Sequence, residues 1–423
     1  MKHTEPYQAA VEVVRKLRDA GFQALWAGGC VRDLQLGKEP KDYDVATNAL
    51  PDEVRHLFGK RHTLAVGASF GVIIVRGHQP DCDVEVATFR TEGPYLDGRR
   101  PEHVHFTTAE EDAQRRDFTI NGMFYDPIND SIFDYVGGKS DLQLHIIRAI
   151  GNPLERMQED KLRLLRAIRF TATLRFRLDE DTFHAIQTMA EQITVVSPER
   201  IAEEMRKMLL HPNREYAMEL ACSAGLLKPV IPELASLWET EGSLSLWQQT
   251  LKRLEILQTH HFETAFAALL LDLPVANDQQ RLETVYQICK QLRFSNHELN
   301  LVHWLIEQRE SLQGASSFSL SRLKRLLAHP DFPFLLELVE ADLRSRNQSL
   351  ADLEFCRQYR DHTPIEVLNP PPLLTGNDLI AAGIKSGPQF KELLTQIQDA
   401  QLEERIHTQA DAQALLEQLV KHK

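Results

Sequence analysis

The 423-residue sequence has little cysteine, no long apolar run and no excess of positive charge. Each shortage removes a class of function. The five cysteines, Cys30, Cys82, Cys222, Cys289 and Cys356, are scattered without a close pair. That argues against a zinc site, a redox motif or a disulfide framework, and for reduced packing residues. Runs such as AFAALLLDL and FPFLLELV fall well short of the ~18 apolar residues that suggest a membrane-spanning helix. The opening MKHTEPYQAAVEVVRKLRDAGF has apolar positions at helical spacing broken by charges, unlike the uninterrupted stretch of a secretory signal. A cytoplasmic protein with no membrane partner is expected. The formal net charge of -13 excludes a chain coated in positive charge. It leaves a nucleic-acid partner open, because phosphate contacts need only a local basic stripe. Basic clusters stand at 163–177, 200–207 and 322–325, although a solvated helix face has the same composition.

What is present divides the chain in two. Up to about residue 140, helical segments mix with β-branched runs such as FGVIIVRG and DVEVATFR, separated by glycine, proline and aspartate turns, which predicts α/β structure. From HIIRAIGNP onward apolar residues recur at three- and four-residue spacing almost to the end, which predicts helices. Breakers near Ser197-Pro198, His211-Pro212, 228–232, His329-Pro330 and 369–372 divide that helical part into at least two packed units. NPPPLLTGND reads as a connection into a small helical tail.

The chemistry concentrates early. In KDYDVATN, Asp42 and Asp44 are two apart, so on a strand their side chains point to one face. Two carboxylates crowded together call for a raised pKa or a bound cation, and a hard oxygen pair suits Mg²⁺ that also keeps waters or phosphate oxygens. An isolated Asp-x-Asp is equally a solvated turn. Here, however, Gly28-Gly29 lies upstream, where bare backbone can approach a ligand, and Arg32 adds a cation suited to phosphate. A third acid for a two-metal arrangement is available in DCDVEVATFR, which offers Asp81, Asp83 and Glu85 in period-two alternation.

GGCVRD with KDYDVATNA resembles the head of the class II nucleotidyltransferases of the polymerase β superfamily, the group of tRNA CCA-adding enzymes and bacterial poly(A) polymerases. QRRDFTING at 114–122 and EDKLRLLRAIRF at 159–170 agree with it, so the resemblance covers roughly the first 210 residues. It implies an α/β nucleotidyltransferase head followed by all-α neck, body and tail. The corresponding segments are 1–140, 141–210, 211–360 and 361–423. It also implies that Asp42, Asp44 and Glu85 are catalytic, with Mg²⁺ on Asp42 and Asp44.

The same resemblance places Gly28, Gly29, Arg32, Arg116 and Asp117 around the nucleotide, against the alternative of an ion-paired turn at Arg115 to Asp117. As a helix, EDKLRLLRAIRF sets Glu159 or Asp160 within one turn of Arg163, with Arg166 and Arg169 at three-residue steps. A salt-bridged amphipathic helix would have that pattern too. Cytosine and adenine both present an exocyclic amine and an unprotonated ring nitrogen on their pairing edges, whereas uracil and guanine present a carbonyl and a ring N–H. A carboxylate and a guanidinium therefore accept the first two and oppose the others. In the family this motif acts as a protein template, which carries over to Asp160, Arg163, Arg166 and Arg169.

AVGASFGVIIV resembles the tRNA nucleotidyltransferase version of its strand rather than the Gly-Arg-Arg-Phe pattern of the poly(A) group, and the chain ends in a mixed-charge helix rather than a strongly basic tail. The interval FRTEGPYLDGRRPEHVHFTTAEED holds an intact loop of the kind that enzymes adding only cytidine lack. The expected activity is therefore template-independent addition of C and A, or of the terminal A alone, to tRNA from CTP and ATP. The alternatives are a poly(A) polymerase and a non-catalytic RNA-binding relative. Oligomeric state is left open. EILQTHHFETAFAALLLDL has a faint likeness to an HD hydrolase pattern through His260, His261 and Asp272, but Leu271 stands where the adjacent histidine is needed, so a structural helix bundle is expected.

Overall fold

The computed structural model describes residues 4–67, 70–77, 79, 82–92, 104–239, 244–384 and 387–421. Asp81 and most of the glycine-rich loop, 93–103, lie outside them. The chain forms two compact units, Met1–Ala235 and Ser236–Lys423.

The first unit begins with α1 (Glu5–Asp19), whose Tyr7, Ala10, Val13, Val14 and Leu17 repeat at helical spacing and are buried. They face a seven-stranded mixed sheet. Its strands are β1 (Ala24–Ala27), β2 (Asp44–Thr47), β3 (Thr63–Gly67), β4 (Val72–Val75), β5 (Val84–Thr88), β8 (Phe124–Asp126) and β9 (Ser131–Phe133), in spatial order β3-β4-β5-β2-β1-β8-β9. A separate two-stranded ribbon pairs β6 (Arg90–Glu92) with β7 (Val104–Phe106) and holds the two ends of the loop together. Both β-branched runs of the sequence form strands, β4 and β5. Four helices fill the connections: α2 (Gly29–Gln35), α3 (Pro51–Phe58), α4 (Ala109–Gln114) and α5 (Gly138–Gln143).

Trp26, fully buried in β1, anchors the centre. The Tyr7, Tyr43 and Tyr125 rings lie 5.0, 4.7 and 5.7 Å from it. Tyr43 matters for the acids. It is buried at the start of β2, so its two neighbours, Asp42 and Asp44, are turned the other way.

After β9 the unit becomes mainly helical, as the periodicity predicts, with α6 (Pro153–Glu159), α7 (Leu162–Leu174), α8 (Glu180–Met189), α9 (Pro198–Leu209) and α10 (Arg214–Ser223), although a short parallel pair of Ile146–Ile147 with Arg177–Leu178 departs from the all-α expectation. One expectation changes. EDKLRLLRAIRF is not a single helix, because α6 ends at Glu159 and Asp160 is extended, with φ -139°. The Asp160 carboxylate accepts the Leu162 amide at 3.0 Å and so closes the start of α7.

The second unit is helical, and none of the described helices is long and apolar enough to cross a membrane. Its first half packs around Phe262, Phe266 and Phe294, with ring centroids 4.9 to 5.5 Å apart. The later half has its own core of Leu379, Leu393, Ile397 and Leu416. Helix Pro388–Leu402 starts at the Gly-Pro of the tail segment, the capping role expected for it.

Asp272 is held by guanidinium groups in place of a metal. Arg253, with no exposed side-chain surface, contacts Asp272 at 2.5 Å and Asp342 at 2.7 Å and donates to the Ala268 carbonyl, and Arg346 takes the other Asp272 oxygen. His261 instead packs against Phe334, 4.2 Å between ring centroids. Arg253→Ala leaves two carboxylates without their buried partner and is expected to lower stability by about 3–5 kcal/mol. The check is urea unfolding of the full chain followed by the tryptophans of this unit, and a shift within experimental error would mean the cluster relaxes into solvent.

Candidate functional site

β1 delivers the chain into a turn that only glycine makes without strain, since Gly28 has φ +73°. A side chain on Gly28 would also be tight, its Cβ 3.2 Å from Nη1 of Arg116, whereas one on Gly29 would make an ordinary contact, 3.7 Å from Nη2 of Arg32. The glycine pair therefore leaves bare backbone beneath two guanidinium groups.

Beside this turn is the acidic edge. The register pairs Ala27 with Asp44 and, in the parallel pair β2–β5, Val45 with Val86. Asp44 and Glu85 consequently lie next to each other on one face of adjacent strands. Asp42 sits just before β2 and is exposed. Asp83, an alternative third acid, is used locally: its carboxylate accepts the Gly77 amide at 3.0 Å. The Asp44 carboxyl is pushed up to about 7, first by burial, then by the charges of Asp42 and Glu85, with Arg116 opposing them. A group in that condition gains from a cation. Among the described residues no group of three or more acidic, histidine or cysteine side chains is gathered to hold a metal ion. What Asp42 and Asp44 offer is a pair of hard carboxylate oxygens, the donor type that suits an ion keeping water or phosphate oxygens.

Arg115 and Arg116 follow α4 and are both held by Asp112, which sequence reasoning overlooked. Arg115 donates to one carboxylate oxygen at 2.7 and 2.9 Å, and Arg116 to the other at 2.9 and 3.1 Å. Asp112 is 1% exposed; burial pushes its carboxyl up, but the two arginines outweigh this and hold it below the usual range. Its i,i+3 and i,i+4 spacing to the arginines was a visible signal.

Asp117 is buried and faces Arg166, which donates to it from Nε at 2.9 Å and Nη2 at 2.5 Å, while Asn121 donates to its other oxygen at 3.1 Å. Burial would raise this carboxyl, yet the charge and hydrogen bonds of Arg166 and Asn121 bring it down to about 2. Asp117 thus orients Arg166. Arg32 is fixed between Asp33 at 2.8 Å and the Asn121 side chain at 2.9 Å.

From the other side comes α7. Arg163 donates to Glu159 at 2.5 Å, to the Arg156 carbonyl at 2.8 Å and to the Arg115 carbonyl at 3.0 Å. Asp160 is gripped by Arg200 of α9 at 2.8 and 3.3 Å, a partner 40 residues away that spacing could not reveal. Arg169 points to buried Glu204, 2.6 Å away.

These parts enclose a cleft of about 660 Å³. Gly28, Gly29, Arg32, Asp44, Arg116, Asp117, Asp160, Arg163 and Arg166 line it. Asp42, Glu85, Glu159 and Arg169 are not among its lining residues; the first two flank Asp44, Glu159 supports Arg163, and Arg169 belongs to Glu204. Phe70, Arg90, Arg115, Asn121, Leu162, Phe170 and Arg200 complete the walls. Seven arginines face three aspartates there, so a chain with a net charge of -13 keeps a strongly cationic cavity with one acidic edge. A polyanion bearing a metal ion matches that distribution.

Comparison with known proteins gives matches along most of the chain. Residues 24–148 match the family described as Poly A polymerase head domain, residues 175–237 the probable RNA and SrmB-binding site of polymerase A, and residues 257–419 domain 2 of tRNA nucleotidyltransferase. The chain is 33% identical over 410 residues to a CCA-adding enzyme of Streptococcus mutans serotype c, spanning 94% of both proteins. It is 42% identical over 228 residues to the CCA-adding enzyme of Lactobacillus helveticus, spanning 53% of this chain and 55% of that protein. The solved structure of the Bacillus stearothermophilus CCA-adding enzyme in complex with CTP superposes with a TM-score of 0.74 at 25% identity, over 99% of both chains.

Asp117 supplies a pH test. Its folded value of about 2 lies below the ~3.9 of an unfolded chain, so its ionised form stabilises the fold by about 2 kcal/mol above pH ~4 and loses that effect as the pH falls toward ~2. In urea unfolding, the stability gap between the natural protein and Asp117→Asn should be widest above pH ~5 and narrow below pH ~4. A gap independent of pH would remove the Asp117–Arg166 pair as the cause.

Proposed function

Since the chain belongs to the family of CCA-adding enzymes and poly(A) polymerases, we infer that it adds C and A to the 3′ end of tRNA from CTP and ATP, without a nucleic-acid template. The observation that carries this reading is the single cleft in which Gly28, Arg32 and Asp44 meet Asp160, Arg163 and Arg166. One end suits a triphosphate and the other the edge of a base.

In this reading the terminal hydroxyl oxygen attacks the α-phosphorus, the hydroxyl loses its proton, and the bond to pyrophosphate breaks. Arg32, Arg116 and Arg166 hold the triphosphate over the bare backbone of Gly28 and Gly29, each already aimed by Asp33, Asp112 or Asp117. Enzymes of the family use a divalent metal. We assign Mg²⁺ to Asp42 and Asp44, with Glu85 alongside; when bound it supplies charge neutralisation for the triphosphate and for the attacking oxygen.

Base selection follows from hydrogen bonds still to be made. A guanidinium has five N–H groups, and Arg163 commits three of them to Glu159 and two carbonyls, which leaves donors for an unprotonated ring nitrogen. On Asp160, Oδ1 accepts from Leu162 and Arg200 while Oδ2 takes one contact from Arg200, which leaves an acceptor for an exocyclic amine. U and G would set carbonyl against carboxylate and N–H against N–H. Such buried mismatches carry strong discrimination.

We divide the chain into head 1–140, neck 141–210, body 211–360 and tail 361–423, with the helical body and tail holding tRNA in the cytoplasm. Phosphate contacts of that kind make binding salt-sensitive.

The test uses tRNA ending before CCA, tRNA ending in CC and an unstructured RNA, each with CTP or ATP. Two cytidines on the first and one adenosine on the second are expected, with no extension of the third. Adenosine on the second alone would reduce the activity to terminal A addition, and long A tracts on the unstructured RNA would make the protein a poly(A) polymerase. Asp44→Ala should lower incorporation by roughly a thousandfold or more while leaving tRNA binding in place. Full activity in that variant would defeat the assignment.

A further inference from the structure

Phe170 lies on the wall of the cleft but carries no hydrogen bond and no charge. It stands seven residues after Arg163, two helical turns along the same face of α7, and is 6% exposed. Its ring meets buried Phe118 edge to face, with centroids 5.7 Å apart at 76°. Phe118 directly follows Asp117, so the contact ties α7 to the segment that carries Asp117.

Around this one ring gather three guanidinium groups. The central carbons of Arg32, Arg166 and Arg169 lie 5.2, 5.3 and 4.0 Å from its centroid. All are inside the ~6 Å range in which an aromatic face attracts a cation. Their acidic partners are separate: Asp33 for Arg32, Asp117 for Arg166 and Glu204 for Arg169. Those acids come from different parts of the chain, and none is shared. What the three cations have in common is the ring. Arg32 belongs to α2, beside the glycine turn, whereas Arg166 and Arg169 belong to α7. Like charges brought this close repel, and an apolar side chain such as leucine would fill the space without offsetting that repulsion.

We propose that Phe170 is a positioning residue for nucleotide binding: its π face holds Arg32 and Arg166 together, so that the glycine-turn half and the α7 half of the cleft grip one triphosphate. This rests on the reading of the cleft as the CTP and ATP site. It predicts an effect on nucleotide affinity exceeding that on turnover, because the ring touches the binding arginines and no reacting atom.

The experiment varies the ring's electrostatics at nearly constant shape. Phenylalanine at 170 is replaced site-specifically by its mono-, di- and trifluoro analogues, each of which withdraws more negative charge from the π face. In the full-length protein, KM for both CTP and ATP should rise stepwise, reaching roughly three- to tenfold for the trifluoro form, with kcat within about twofold and the melting temperature unchanged. Phe170→Tyr should stay close to the natural enzyme and Phe170→Leu should match or exceed the trifluoro form. A flat KM series with an active natural protein would overturn the proposal and leave the site reading intact. A natural protein that incorporates neither nucleotide would overturn the site reading itself.

Discussion

The structure of the cleft depends on keeping many guanidinium groups in a small volume before any anion arrives. Two such charges about 5 Å apart repel by roughly 3 kcal/mol at an effective dielectric near 20. The protein's answer is to set five carboxylates against six of the arginines: Asp33 for Arg32, Asp112 for Arg115 and Arg116, Asp117 for Arg166, Glu159 for Arg163 and Asp160 for Arg200. Asp33, Asp112 and Glu159 stand outside the cleft lining, while Asp117 and Asp160 belong to it, and the arginines they hold keep further N–H groups for the cavity. Arginine serves this purpose better than lysine because its planar fork can bind an acid on one edge and still offer N–H groups on another.

That arrangement explains both what could be read in advance and what could not. The α/β-to-helix transition near residue 140, both β-branched strands and the glycine–arginine–aspartate constellation were legible, because local pattern determines them. The acids that aim the arginines were harder. Asp112 was in principle visible, three and four residues before its partners on a helix. Arg200 and Glu204 reach Asp160 and Arg169 across 40 and 35 residues, a distance over which a single sequence carries no pairing signal. The break at Asp160 escaped for a related reason. Apolar periodicity runs through EDKLRLLRAIRF without interruption, while the interruption itself comes from a carboxylate that caps the next helix and is pinned from α9. Arg169 looked equivalent to Arg163 and Arg166 at three-residue steps, yet 100° per residue carries it round to Glu204.

The second unit applies the same pairing to a different end. Arg253 is enclosed completely and satisfied by two aspartates and a carbonyl, with Arg346 sharing those aspartates from the rim. A hydrolytic metal site would need Asp272 free and a histidine beside it, whereas here its oxygens are spent on guanidinium groups. The histidines of the same segment are exposed, and one packs tilted against phenylalanine. Buried acid–base pairs of this kind hold helices in register but lose much of their attraction to desolvation, so their removal is costly mainly through the partner left behind.

Opposite strains meet in the first unit. Along the β2–β5 edge burial, and then the neighbouring carboxylates, drive Asp44 up to about 7, and nearby arginines are crowded until they share an aromatic ring. Neither crowd relaxes by moving, because Tyr43 and Trp26 fix the strand under the acids and the buried carboxylates fix the arginines. In the proposed reading a nucleoside triphosphate with its metal would relieve both at once, cation to the acids and phosphates to the arginines. Such relief would be indifferent to the base. Selection must therefore come from elsewhere in the cleft, from groups whose geometry does not give way. Asp160 and Arg163 would meet that condition because each is already held by a partner of its own, Arg200 for Asp160 and Glu159 for Arg163, and a rigid donor–acceptor pair penalises the wrong pairing edge where a mobile one would accommodate it.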